Sequence, residues 1–404
     1  MGRLSRYLLP ALLLAAGVGA LLIYAIQMSG GGAPETAPIP PSPTPPGAGT
    51  TASASATASA TLAAPTAAAT ATIAPATVSD TPAAQETVVS GDEPLPLPLD
   101  DARRFGVTAT MDDVGPALAA GLPFGSYATW WVSAEPERPH GVHFWQMIRL
   151  QEDRVRTPWH EIDAALAANR GAIWLIGNEP DVVSQDNVPP QTYARLYHQL
   201  YTHIKERDPS ALVAIGGVSQ PTPLRRAYLD VVLDSYEEYY GQPMPVDVWN
   251  VHAFILREER DSWGIGIPPG MSDELAIEYE IEDHLDMDIF RQNLIDFRRW
   301  MARRGYGDRP LVVSEYGFLM PNDYGFPPDD VADFLTATFD FFLTARDESG
   351  YPDDDDRLVQ WWFWFMLAGA ADDQYAPSFL YDRDSGDLTL LGRAYAGYVR
   401  EHLP

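Results

Sequence analysis

Two glutamates each end a short apolar run: Glu179 in the stretch Ile176, Gly177, Asn178, Glu179, Pro180, Asp181, and Glu315 in Val312, Val313, Ser314, Glu315, Tyr316, Gly317. A carboxyl is costly to bury, so two of them capping apolar strands need either partners or work to do. Cleavage of a glycosidic bond needs such a pair: one carboxyl protonates the leaving oxygen and the other acts at the anomeric carbon. The competing reading is a pair of salt-bridged rim residues. Other chemistries find less support. The chain has no cysteine, which excludes thiolate catalysis and thiolate metal sites. Apart from His252, its histidines show no ligand spacing with carboxylates, so neither a catalytic metal nor a cofactor is expected.

The elements that must hold the two glutamates can be read from the same sequence. Eight strand-like runs follow one another at 104–109, 124–132, 142–150, 172–178, 212–218, 246–253, 310–314 and 358–366. Helical periodicity is strongest at 191–207, 224–239, 281–304, 329–345 and 392–402. Strand and helix alternating around one core predict an α/β fold, a (β/α)8 TIM barrel. In that fold the active site lies at the C-terminal ends of the strands. Glu179 closes the fourth run and Glu315 the seventh, so the barrel would bring them to one mouth.

With those positions assigned, Asn178-Glu179-Pro180 and Ser314-Glu315-Tyr316-Gly317 resemble glycoside hydrolase clan A over residues 103–404. The resemblance implies a retaining double displacement, with Glu179 as acid/base and Glu315 as nucleophile. It also implies that Asn178 bonds the sugar 2-hydroxyl. His252 would orient Glu315 or touch the sugar, or else be a structural histidine at a strand end. Tyr316, next to Glu315, is carried over with it as a substrate contact. Within the clan, Ser126 to Trp131, Phe144 to Ile148 and Gly177 to Asp181 are faintly similar to the endo-β-1,3-glucanases of the glycosyl hydrolase catalytic core family. The chain departs from that family at Gln146, where a proline is usual before the methionine. The expected substrate is an extracellular polysaccharide or oligosaccharide, a β-linked glucan. The alternative is a catalytically inactive barrel that binds cell-wall glycan.

Sugar rings stack their apolar faces on indole, so the tryptophans at strand ends are candidate cleft walls. Trp364, nearest the C-terminal end of the eighth run, and Trp131 are the expected stacking residues. The long segment 256–280 after the sixth run contains Trp263 and is expected to form one wall of the cleft. Asp382, Asp384 and Asp387 read as a hairpin turn rather than a calcium loop, because Gly386 falls where a ligand is needed.

The first 95 residues differ from the rest. After Arg3 and Arg6, an uncharged apolar stretch over 7–26 is long enough to span a bilayer, so 1–28 reads as a signal-anchor. Residues 29–95, built from Ala, Thr, Pro, Ser and Gly, read as a disordered linker, leaving 96–404 as a monomeric catalytic domain. The expected location is therefore a single-pass membrane protein with its catalytic domain outside the cell, or a secreted protein if the segment is cleaved. A formal charge of −29, from 56 acidic and 27 basic residues, argues against nucleic acid as a partner.

Overall fold

The computed structural model describes residues 101–402 except 371, 372 and 374. Eight parallel strands carry the fold: β1 (Phe105–Thr108), β2 (Ser126–Ala128), β3 (His143–Ile148), β4 (Ile173–Asn178), β5 (Leu212–Gly217), β6 (Trp249–His252), β7 (Leu311–Gly317) and β8 (Trp361–Phe365). Their hydrogen-bonded order runs β5-β4-β3-β2-β1-β8-β7-β6. Parallel bridges from Ala214 to Val248 and from Val218 to Val251 join the two ends of that order, so the sheet curves into a barrel. Seven of the expected runs contain one of these strands whole, and the seventh, 310–314, covers only the first part of β7, which continues to Gly317.

The helices are α1 (Met111–Ala119), α2 (Trp159–Ala168), α3 (Pro190–Arg207), α4 (Pro223–Tyr240), α5 (Met287–Arg303), α6 (Pro328–Thr344) and α7 (Leu390–His402). Between β2 and β3 the chain makes only a short 3-10 turn, Pro139–Gly141, so one crossover of the repeat lacks its α-helix. Helices α3, α4 and α6 place Pro190, Pro223 and Pro328 in the first turn, where the missing N–H has no partner to lose. Asp286 caps α5 by accepting from the N–H groups of Asp288 and Ile289 at 2.8 and 3.0 Å. The expected hairpin is present as Tyr381–Asp382 paired antiparallel with Asp387–Leu388.

Two apolar regions hold the barrel. One lies between strands and helices; the other fills the barrel interior with Ala128, Trp145, Met147, Leu175, Ala214, Val248, Val312, Trp361 and Phe363. Taking a side chain such as Met147, Leu175 or Phe363 out of water contributes about 1.5–3 kcal/mol. Trp145 meets Trp361 and Phe363 edge-on, with centroids 5.3 and 5.1 Å apart. Rings this large fit because β1 offers Gly106 opposite them; a Cβ there would lie 2.1 Å from Phe363 Cδ1. Interior aromatics make the barrel a packed plug, so the chemistry must sit above it, at the strand ends.

The expectation of a single-pass membrane protein with an extracellular domain is corrected. No helix among the described residues is long and apolar enough to cross a membrane. The 1–28 segment expected to form the anchor, and the 29–95 segment expected to form the linker, lie outside the described residues.

Candidate active site

Strand β7 aims Glu315 by a bulge. On the β6 side, Val251 faces Val313 and the next residue, His252, faces Glu315. On the β8 side, Trp362 faces Val313 while Trp364 faces Tyr316. Relative to both neighbours, β7 therefore carries one extra residue across Ser314 and Glu315. Val313 and Tyr316 both pack on the helix side, and the extra residue between them leaves Glu315 directed at the site instead.

Glu179 leaves the end of β4 in a left-handed conformation, φ 45°. Its N–H donates to the Gly217 carbonyl at 3.0 Å, and Pro180 follows at once. A non-glycine residue held at positive φ costs on the order of 1–3 kcal/mol, and such strain concentrates at functional positions.

His252, at the end of β6, brings the two glutamates together. Its Nδ1 lies 3.0 Å from Glu179 Oε1 and 3.9 Å from Glu315 Oε2. The imidazole lies against the backbone of β5 at Gly217, where a Cβ would sit 2.5 Å from His252 Cδ2. From the other side, Trp130 donates its indole N–H to Glu315 Oε1 at 2.9 Å. All three ionisable groups are buried.

This crowding sets the electrostatics. Burial raises the Glu315 carboxyl to about 7; the Glu179 charge adds to the rise, while His252 and the Trp130 bond oppose it. Burial alone would lower the His252 pKa, but the facing Glu315 and the bond to Glu179 raise it overall. Burial and the nearby Glu179 charge thus hold on Glu315 a proton that an exposed carboxyl would lose.

Asn178 is fixed by its surroundings: its N–H donates to Asp186 Oδ2 at 2.8 Å and its Nδ2 to Gln185 Oε1 at 3.2 Å. Arg149 braces both partners, reaching Asp186 at 2.7 Å and Gln185 at 3.2 Å. Asn178 Oδ1 and His252 Nε2 are buried and have no hydrogen-bond partner among the described residues. His252 Nε2 faces the backbone of β5, 2.7 Å from where a Gly217 Cβ would stand.

The aromatic expectations need correction. Trp364 is fully buried on the helix side of β8, donating to the Ser378 carbonyl at 2.8 Å. Tyr316 packs beside it against Phe290 and Phe342. Neither belongs to the cluster around Glu179 and Glu315. On β8 the barrel side carries Trp361, Phe363 and Phe365. The Phe365 ring lies 6.0 Å from Trp130 and 5.9 Å from Phe254, and Phe254 in turn is 6.3 Å from His252. Trp131 is half-buried beside Trp130, centroids 6.4 Å apart, but Trp130 is the one that bonds a glutamate. Among the described residues no group of three or more His, Cys, Asp or Glu side chains is arranged to hold a metal ion.

No protein-family model matches the chain, and no curated protein matches it. Among solved structures it is similar to a GH128 (subgroup II) endo-beta-1,3-glucanase from Pseudomonas viridiflava, with 18% identity, 76% of this chain and 98% of that chain covered, and a TM-score of 0.49. It is similar to a GH128 (subgroup I) endo-beta-1,3-glucanase from Amycolatopsis mediterranei in complex with laminaritriose, with 20% identity, 73% and 99% coverage, and a TM-score of 0.48. A GH128 (subgroup VII) oligosaccharide-binding protein from Cryptococcus neoformans gives 13% identity, 75% and 96% coverage, and a TM-score of 0.49. With identities this low and TM-scores below 0.5, the roles of individual residues in this chain rest on its own strand topology and side-chain geometry.

Proposed function

We propose that this chain is a retaining glycoside hydrolase acting on β-linked glucan, with Glu179 as acid/base and Glu315 as nucleophile. The observation that carries the reading is the convergence of both carboxyls on His252 Nδ1 at the C-terminal ends of β4, β6 and β7. Salt-bridged rim residues would instead each face a guanidinium or ammonium. The assignment of roles follows the sequence resemblance, in which the glutamate after the fourth strand is the acid and that on the seventh the nucleophile.

The first step needs a proton on Glu179 and a charge on Glu315. Glu179 gives its proton to the glycosidic oxygen, the C–O bond breaks, and the ionised Glu315 carboxylate bonds the anomeric carbon. The Trp130 N–H and the His252 imidazole stabilise the Glu315 charge until that bond forms. Glu179, now ionised, takes a proton from water as its oxygen attacks the same carbon, and Glu315 leaves as carboxylate. Asn178 Oδ1 is an acceptor suited to a sugar hydroxyl, while Trp130, Phe254 and Phe365 offer apolar faces to the rings.

Release of reducing ends from β-glucans, mannans and xylans by the full chain, beside its Glu315→Gln variant, tests this reading. Hydrolysis of a β-glucan that disappears in the variant supports it. Binding without hydrolysis in both forms would instead make the chain a glycan-binding barrel.

A further inference from the structure

We propose that Arg225 is a positioning residue for Glu179, tying the turn that carries this acid to the long 254–280 segment so that the two move as one. The inference rests on the reading of Glu179 as acid/base. Arg225, on the first turn of α4, is completely buried and forks between two buried carboxylates from different loops. Its Nε donates to Asp181 Oδ2 at 3.0 Å, and its Nη1 to Glu258 Oε1 at 2.9 Å. Its Nη2 reaches the Gly266 carbonyl at 2.9 Å, in the middle of the long segment.

Each carboxylate then fastens a different piece of the active-site face. Asp181 stands two residues after Glu179 and accepts from both the N–H and the hydroxyl of Ser219, at 3.2 and 2.6 Å, just past β5. Glu258 Oε1 also accepts from Gln220 at 3.0 Å and from Thr222 at 2.5 Å, while its Oε2 takes the Ile277 N–H at 2.8 Å. Gln220 grips the entry of the segment through both Leu256 backbone groups, at 3.0 and 2.9 Å. Entry, middle and exit of the segment are thus referred to one guanidinium, and so is the Glu179 turn.

Stability alone is a poor explanation for such a cluster. Replacing buried ion pairs by apolar side chains of similar volume is often neutral or stabilising, whereas a cluster that joins two loops fixes their register. The Glu179 turn is otherwise held by backbone bonds, from Glu179 N–H to the Gly217 carbonyl and from Val182 N–H to the Glu179 carbonyl, both 3.0 Å, and from Val188 N–H to the Pro180 carbonyl at 2.8 Å, none of which reaches the long segment. Glu179 itself sits at positive φ, and among the described residues its carboxyl bonds His252 at 3.0 Å. A lysine at 225 would keep the charge but could not reach three acceptors in one plane.

The test compares Arg225→Lys with the wild-type full chain by amide hydrogen exchange and by kinetics on a β-1,3-linked glucohexaose, at a temperature where both are folded. Exchange is expected to rise about tenfold or more together in peptides covering 259–277 and 179–183, with strands β1 to β3 unchanged. On the same substrate kcat is expected to fall about tenfold to a hundredfold while KM changes by less than about threefold. Loosening of 259–277 with 179–183 at unchanged kcat would overturn the positioning role, and a lower Tm with neither change would overturn the coupling as well. If Arg225→Lys does not fold, Glu258→Gln serves: one amide position cannot accept from Ile277. The segment should loosen, and kcat should fall with it. If the wild type hydrolyses no glycan, the proposed function fails, and the joint exchange of the two segments still decides the coupling.

Discussion

Trp130, on the loop after β2, donates its indole N–H to Glu315 at 2.9 Å across 185 residues of sequence. A hydrogen bond to an ionised group is worth about 1.5–3 kcal/mol, and here it favours the charged form of Glu315. Trp130→Phe is therefore expected to lower kcat about tenfold to a hundredfold while leaving the fold intact, measured on β-1,3-glucan oligosaccharides. Unchanged kcat would show that the bond has no part in the reaction.

The pH dependence follows from the raised Glu315 carboxyl. Burial raises the Glu315 carboxyl to about 7, so Glu315 holds its proton below that pH and is a carboxylate above it. The ionised carboxylate is the working form of the nucleophile, so kcat/KM should decline as pH falls through this region. Because the Trp130 bond lowers the Glu315 pKa, Trp130→Phe should move the acidic limb to higher pH. A limb that stays in place in the variant would contradict the assignment.

His284 offers an independent pH test away from the chemistry. Its Nδ1 meets the Ile255 carbonyl at 2.9 Å and its Nε2 accepts from the Leu319 N–H at 2.9 Å, so the neutral ring clamps the segments after β6 and β7. Burial lowers its pKa from 6.5 to about 4, with the Ile255 carbonyl opposing. The unfolded chain gains this proton near pH 6.5 and the folded chain only near 4, so stability is lost as pH falls between the two. The loss is at most on the order of 3 kcal/mol. Tm measured against pH should show it in the wild type and show less of it in His284→Gln; identical slopes would refute the clamp.

The aromatic face can be checked by a pair of variants on adjacent residues of β8. Phe365→Ala, on the barrel side, should raise KM for the oligosaccharide about threefold to tenfold. Trp364→Phe should leave KM alone and destabilise the protein by about 1–3 kcal/mol, since it loses the bond to Ser378. The opposite pattern would return Trp364 to the cleft.

The barrel was legible because strands buried on both faces write themselves as continuous apolar runs, and all eight could be located. The same property hid which face of β8 points inward: period two places Trp362 with Trp364 and Trp361 with Phe363, without saying which pair meets the lumen. Gly106 was the available signal, a residue with no side chain opposite the interior ring of Phe363. Trp130 and Trp131 were adjacent and equivalent by sequence, and only the turn after β2 selects the first. Arg225 was not legible at all, because its partners lie 44 and 33 residues away on loops whose meeting depends on the closed barrel. The meeting of Glu179, Asn178 and His252 was legible because each sits at a strand end; Glu315 lies two residues before the end of β7, and the bulge that turns it inward was not legible.

The central claim is that Glu315 bonds the sugar while Glu179 supplies the proton, and trapping that bond tests it most directly. The full chain would be incubated with a 2-deoxy-2-fluoro β-glucosyl fluoride extended by a β-1,3-linked glucose, then digested and read by mass spectrometry. The expected result is one added disaccharide on the peptide containing Glu315, absent from Glu315→Gln and slow to hydrolyse. Turnover of β-glucan with inverted anomeric configuration and no labelled peptide would contradict the account.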